Sequence, residues 1–223
     1  MDRPGFLSAA SSLGLNLTEG QVAQFEAFEE DLYRVNQSMN LTRVPREDCW
    51  LRHFVDSLLI QDLVAYGSDA LDIGTGPGFP AWPLACARPD LKVTAVESNG
   101  KMLGFLRSQM LPNLEIVQVR AEEWNRREAY DVVTGRAVAP LPIQLELSAA
   151  PCRVGGRVVP MRTSKEDLID ASALGLELEE SITKTLPATD AVRVFPIYRK
   201  VSKTPRPYPR RWPEMKSKPL GAR

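Results

Sequence analysis

Between Val22 and Met39 the apolar residues Val22, Phe25, Phe28, Leu32, Val35 and Met39 recur every three or four positions, the repeat of one face of an α-helix. Thr18 with Gln21 three residues later has the form of a capping box, so the pattern predicts an amphipathic helix that begins there and runs to about Ser38. Asn40-Leu41-Thr42-Arg43-Val44-Pro45 reads as a turn. A second helix then carries Leu51, Phe54, Val55, Leu58 and Leu59 on one stripe and leaves Arg52, His53 and Asp56 off it. From Gly67 onward the period changes to short apolar runs alternating with helical stretches, the order of a parallel sheet with crossover helices. The predicted strands are Ala70–Ile73, Val93–Glu97, Leu114–Gln118, Tyr130–Thr134, Gly156–Met161, Leu176–Ile182 and Val192–Tyr198. Pro160 removes a ladder donor and makes the fifth the weakest of them. The expected fold is α/β and Rossmann-like, a seven-stranded, mostly parallel sheet with an N-terminal helical extension. Residues 1–66 read as a helical cap, 67–200 as the sheet domain and 201–223 as a basic, proline-rich tail.

With 223 residues, 43% of them hydrophobic, the chain is long enough for one main core. No apolar run reaches the ~18 residues of a spanning helix. The start, Met1-Asp2-Arg3-Pro4, lacks the layout of a secretion signal, so a cytoplasmic monomer with no membrane partner is expected. Cys49, Cys86 and Cys152 are odd in number and far apart, which suits reduced thiols. The single histidine, His53, excludes a His-rich metal site, and no metal is expected. Formal charge sums to zero, yet Arg199 to Arg223 holds nine Lys or Arg against Glu214 alone. A basic segment punctuated by Pro205, Pro207, Pro209, Pro213 and Pro219 suits contact with phosphates and argues against regular structure.

The most informative segment is Leu71-Asp72-Ile73-Gly74-Thr75-Gly76-Pro77-Gly78-Phe79-Pro80. A buried strand running into alternating glycines lets a ligand approach the backbone with no Cβ in the way. Alone, such a turn also serves as a plain strand-to-helix connection. Glu97, at the end of the next strand, adds an acid where ribose hydroxyls would be held. The Gly-x-Gly-x-Gly spacing, followed by Pro80 and Pro83, differs from the Gly-x-Gly-x-x-Gly that seats a pyrophosphate. It suits a cofactor without phosphate, such as S-adenosylmethionine. Arg120-Ala121-Glu122-Glu123 after the third strand could hold an adenine edge, although acids there also read as an ordinary helix start.

Arg136, after the fourth strand, could pair with a carboxylate or phosphate, stack on a base, or be an exposed loop arginine. The Asp/Asn-Pro-Pro-Tyr/Phe of amino-group methyltransferases is absent there, which disfavours adenine or cytosine amines. Carbon methylation of a pyrimidine needs a thiolate, and Cys152 lies after the next helix, where it reads as a small buried residue. Guanine N7 fits what is left. Its ring nitrogen already has a lone pair, so positioning and electrostatics can carry the rate without a base.

These segments, with Arg52-His53-Phe54-Val55-Asp56-Ser57-Leu58, Gly100-Lys101, Phe105-Leu106, Gly135-Arg136-Ala137-Val138-Ala139 and the tail from Lys203-Thr204-Pro205-Arg206 to Lys218-Pro219-Leu220, closely resemble the small-subunit ribosomal RNA guanine-N7 methyltransferase family (RsmG). The resemblance covers most of residues 30 to 220. It implies a class I S-adenosylmethionine-dependent methyltransferase acting on 16S ribosomal RNA, free or in the 30S particle. It implies cofactor contacts at Gly74, Phe79, Glu97, Ser98, Asn99, Ala121, Glu122 and Arg136, and places Arg52, His53 and Asp56 near the catalytic cleft. Arg136 and His53 are the candidate catalytic residues; His53 could equally be a structural partner of Asp56, and Arg52 with Asp56 an i,i+4 pair. The chain departs from the family at Ala81 and Trp82, where Gly and an aliphatic residue are usual, and at Arg162-Thr163, where Lys-Gly is usual. A non-catalytic RNA-binding or assembly protein on the same fold is the competing reading. A nicotinamide-dependent oxidoreductase rests on the glycine loop alone.

Overall fold

All seven predicted strands form in the computed structural model, which describes residues 1–163 and 167–221. They are β1 (Asp69–Ile73), β2 (Lys92–Glu97), β3 (Leu114–Gln118), β4 (Tyr130–Arg136), β5 (Cys152–Met161), β6 (Leu176–Thr185) and β7 (Val192–Lys200), in one sheet of order β3-β2-β1-β4-β5-β7-β6. The first five are parallel, and β7 runs antiparallel between β5 and β6. Pro160 is accommodated because it lies in a gap of the β5–β7 pairing, between Val158↔Tyr198 and the isolated bridge Arg162↔Val194. β6 is the outer strand, nearly all exposed and carrying Glu177, Glu179, Glu180 and Lys184, the kind of charged edge that resists pairing with another chain.

Alternation along the strands splits the core between the two faces of the sheet. Ala70, Val93, Ala95, Val132 and Val159 face one side, and Leu71, Ile73, Val96, Val133 and Val158 face the other. The first side is covered by α1 (Arg3–Ser12), α2 (Glu19–Met39), α4 (Ala81–Ala87) and α5 (Gly100–Arg107). A π-helical turn, Trp50–Val55, leads into α3 (Asp56–Leu58) on the same side. The capping box at Thr18 forms as expected, and Asn40 ends α2 in the left-handed region at φ 50°. All seven phenylalanines belong to this core, and six of them form a linked network of ring contacts that includes Trp82. Phe28 of α2 alone touches Trp82 at 4.2 Å, Phe105 at 5.2 Å, Phe79 at 5.6 Å and Phe54 at 5.9 Å between ring centroids.

The second face is covered by α6 (Leu141–Ala149) and by the C-terminal segment, which contains a further helix, α7 (Trp212–Ser217). Here the chain departs from expectation, since the tail is folded onto the domain. Proline at the second position of α7 costs no hydrogen bond, and Met215 beneath it is wholly buried. Lys200, one of the nine basic residues of the C-terminal stretch, is also wholly buried; its ammonium donates to the Leu174 carbonyl and bonds Thr204. Burial pushes its pKa down to about 8.

The topology sets the place of a site. β1 leads through α4 to β2 on one side, and β4 lies on its other side, so β1 and β4 border the switch point beside which ligands bind at the carboxyl ends of strands. The pairings Ile73↔Val96, Glu97↔Gln118 and Arg136↔Met161 bring the ends of β1 to β5 to one edge. No helix among the described residues is long and apolar enough to cross a membrane.

Candidate active site

At the carboxyl ends of β1, β2 and β3 an open cleft is bounded by Gly74, Glu97, Ser98, Ala121 and Glu122. Leu147 of α6 and Trp212 of α7 also line it. The loop after β1 turns through three glycines with positive φ: Gly74 at 68°, Gly76 at 58° and Gly78 at 120°. A Cβ on Gly78 would stand 2.7 Å from Leu106, whereas one on Gly76 would meet nothing within 4 Å. Gly78 thus serves packing, and Gly76 borders open space. Glu97 accepts hydrogen bonds from the backbone N–H of Gly76 at 3.1 Å and of Asn99 at 2.8 Å. The Ser98 hydroxyl also donates to it at 3.4 Å; a carboxylate has about four lone-pair sites, so capacity for a further hydroxyl donor remains. Asn99 caps α5 through the Lys101 N–H. Glu122 is held by Arg120 at 2.7 Å in the short 3-10 turn after β3.

Beneath the loop, Asp72 is buried on the α4 face and accepts the Ala81 N–H at 3.0 Å. The buried Thr75 hydroxyl lies against this carboxyl, and beyond that contact its oxygen and the second Asp72 oxygen meet no further partner among the described residues. Burial raises the Asp72 carboxyl from 3.8 to about 7, with Thr75, the Ala81 amide and the Arg136 charge opposing the rise and Glu97 adding to it.

A second group forms where β4 ends. Gly135 is forced, since a Cβ there would lie 2.7 Å from the Ile73 carbonyl, and Ala137 turns left-handed at φ 55°. Between them Arg136 projects toward the π turn. Its guanidinium donates to the Arg52 carbonyl at 3.1 Å, to Asp56 at 2.9 Å and to His53 Nδ1 at 3.1 Å, and lies 5.3 Å from the Phe79 ring centre. Arg193 of β7 takes the other Asp56 oxygen at 2.6 Å. His53 stacks flat on Phe79, centroids 4.2 Å apart and planes within 3°. Arginine only donates, so Nδ1 is the acceptor and Nε2 carries the hydrogen, which it gives to Thr42 Oγ1 at 2.6 Å. Asn36 of α2 holds Thr42 by both backbone groups.

The His53 imidazole is therefore committed at both nitrogens. Burial first, then the charges of Arg136 and Arg52, push its pKa from 6.5 down to about 3. A depressed base contributes stability that is present above pH 6.5 and is lost as pH falls toward 3. Because the chain has one histidine, its ring nitrogens can be followed by NMR without assignment. They are expected to report the neutral Nε2–H form throughout pH 5 to 8; a midpoint near 6.5 would contradict this bonding.

The predicted residues thus fall into two sets. Gly74, Glu97, Ser98, Ala121 and Glu122 border the cleft, while His53, Phe79 and Arg136 form the stacked group; of the expected cofactor contacts, Phe79, Arg136 and the α5 cap Asn99 are not in the cleft lining. Phe79 contributes a buried ring that supports His53 and Arg136. One expectation is corrected. Arg52 pairs with Asp48 at 3.4 Å, not with Asp56, because the π turn carries Asp56 inward to Arg136 and Arg193. Arg162 donates to the Ala139 carbonyl at 2.8 Å and to Gln144 at 2.9 Å, bracing the loop behind Arg136. Ala81 and Trp82 leave the start of α4 intact: the Ala81 amide meets Asp72, and the Trp82 indole N–H reaches the Gln109 carbonyl at 2.8 Å. Cys152 is wholly buried with its thiol pushed up to about 12 by burial, which fits a structural residue. Sequence reasoning missed Asp72, Arg193 and Trp212 as site residues. Only Asp72 left a signal, an acid inside an otherwise apolar strand.

The profile of the family described as rRNA small subunit methyltransferase G matches residues 21–192. The chain is 38% identical to ribosomal RNA small subunit methyltransferase G of Leuconostoc mesenteroides, over 99% of this chain and all of the relative. It is also 38% identical to the protein of that description from Lachnoclostridium phytofermentans, over 94% and 93% of the two chains. Among solved structures, M. jannaschii TYW2 in complex with AdoMet superposes with a TM-score of 0.54 at 15% identity, covering 66% of this chain and 75% of that one. A TehB-like SAM-dependent methyltransferase from Corynebacterium glutamicum gives 0.53 at 15% identity, covering 78% and 99%. These likenesses show the class I methyltransferase fold.

Proposed function

The chain belongs to the rRNA small subunit methyltransferase G family, and from that premise we propose that the atom it methylates is N7 of a guanine. It is an S-adenosylmethionine-dependent methyltransferase of 16S ribosomal RNA. The observation that carries the choice of atom is the commitment of the titratable groups around Arg136. His53 is bonded at both nitrogens, and Asp56 is held between two guanidinium groups. Neither is left to accept a proton from a substrate amine. Guanine N7 has no proton to lose and presents its own lone pair.

The cofactor fits the residues present. Glu97 would take a ribose hydroxyl and Ala121 and Glu122 the adenine edge, with Gly74 and Gly76 allowing close approach. When bound, S-adenosylmethionine supplies a methyl group on a positively charged sulfur. Arg136 orients the base or its flanking phosphate, held in one geometry by Asp56, His53 and the Phe79 ring. His53 is a positioning residue in this scheme, and exposed Arg206, Arg211, Lys216 and Lys218 carry phosphates.

The test is methyl transfer to small-subunit RNA and to 30S particles from cells lacking the activity, followed by borohydride reduction and aniline cleavage, which cut the chain at 7-methylguanine. A single cut dependent on the protein supports the reading; methyl incorporation without a cut would move it to another atom.

Asp72 gives a further expected result. A carboxyl whose folded pKa is raised favours the folded state fully below pH 4 and loses that contribution as pH rises through 7. Asp72→Asn keeps an acceptor for the Ala81 amide and removes the ionisable group. It should melt higher than the parent at pH 8, with the gap closing by pH 4. Equal melting at pH 8 would remove the burial argument.

A further inference from the structure

The C-terminal segment contributes more than charge. Trp212 lines the cleft together with Glu97, Glu122 and Leu147. Glu146, the residue before Leu147 on α6, is wholly buried, and Arg210 closes on it with two guanidinium nitrogens at 2.6 and 2.9 Å and its backbone N–H at 2.8 Å. Arg210 also reaches the Lys218 carbonyl at 3.1 Å, tying the two ends of α7 together. Upstream, Arg127 clasps the carbonyls of Thr204 and Tyr208. Releasing the segment would strand a buried carboxylate, a strongly unfavourable event.

We propose that Trp212 is a cofactor-binding residue and that the anchored tail forms one wall of the S-adenosylmethionine site. This rests on the reading of the cleft as the cofactor site. The lining combines apolar Ile73, Val96, Val119, Val138, Leu147 and Trp212 with the acids Glu97 and Glu122. That composition suits a flat heteroaromatic base joined to a ribose. Trp212 is the only aromatic ring in the lining among the described residues, and an aromatic face against a nucleobase is worth roughly tenfold or more in affinity. The buried Glu146–Arg210 pair and Met215 keep that ring in place without the ligand, so the site is pre-formed on this side.

The experiment is titration calorimetry of the full chain with S-adenosylhomocysteine, paired with tryptophan fluorescence. Trp212→Ala should weaken binding about tenfold or more, and Trp212→Phe, which keeps a ring, should stay within about threefold of the parent. The fluorescence change on ligand addition should be largely lost in Trp212→Phe, although Trp50, Trp82 and Trp124 remain. Unchanged affinity in Trp212→Ala, or an undiminished fluorescence response in Trp212→Phe, overturns the proposal while leaving the cleft reading standing. Absence of binding by the parent chain sinks the cleft reading itself. Melting curves of each variant separate loss of the wall from loss of the fold.

Discussion

Arg136→Lys is expected to lose nearly as much methyl-transfer activity as Arg136→Ala, about a hundredfold or more in kcat/KM, with S-adenosylmethionine affinity changed little. The guanidinium addresses three acceptors at once, the Arg52 carbonyl, Asp56 and His53 Nδ1, and lies over the Phe79 ring. A planar fork can meet acceptors in these directions. A lysine ammonium on a flexible stem keeps the charge and cannot keep the geometry. Both substitutions leave Asp56 paired with Arg193 at 2.6 Å, so no buried carboxylate is orphaned and the melting temperature should fall by only a few degrees. Steady-state kinetics on 30S particles, with calorimetry for the cofactor, separates the two effects. Retention of most activity in the lysine variant would mean that charge alone is used at this position, and the orienting role assigned to His53 and Asp56 would go with it.

How much of this could be read from the chain depends on how local the cause is. Strand positions, the capping box and the glycine turn are set by patterns within a few residues, and each appears where the pattern puts it. The cleft was legible because Gly74, Glu97 and Ala121-Glu122 each follow a strand, and a parallel sheet aligns strand ends by its register. The arrangement around Arg136 was not legible in the same way. Asp56 meets Arg193 across 137 positions of sequence, and nothing near either residue announces the other. The π turn is a further example: periodicity predicted an ordinary helix with Arg52, His53 and Asp56 turned away from the core, yet His53 and Asp56 are 7% and 4% exposed. They are polar because they face polar partners inside the protein. The tail shows the opposite error, since proline and charge suggested an unpacked segment while one buried partner, Glu146, and one buried methionine were enough to dock it.

Phe28→Ala should destabilise the fold by about 3 to 5 kcal/mol, and its consequence should reach the active site. The ring is wholly buried and makes edge or tilted contacts with Phe54, Phe79, Trp82 and Phe105. Its neighbours belong to the π turn, the glycine loop, α4 and α5, so the cavity cannot close by moving one of them. Phe79 is the link to function, because its opposite face carries His53 at 4.2 Å and, nearby, Arg136. With Phe28 gone, the ring that keeps His53 flat loses its support, and Arg136 loses the definition of one of its three acceptors. The expected result, measured well below the lowered melting temperature, is a fall in kcat with little change in S-adenosylmethionine affinity, since the cleft wall of Leu147 and Trp212 belongs to the core on the other face of the sheet. Urea unfolding gives the stability loss and single-turnover transfer gives the catalytic one. A variant destabilised to this extent but with the parent's kcat would show that α2 supports the fold without aligning the site. A parallel loss of kcat would make the N-terminal helices part of the catalytic apparatus, acting through Phe79 without touching either substrate.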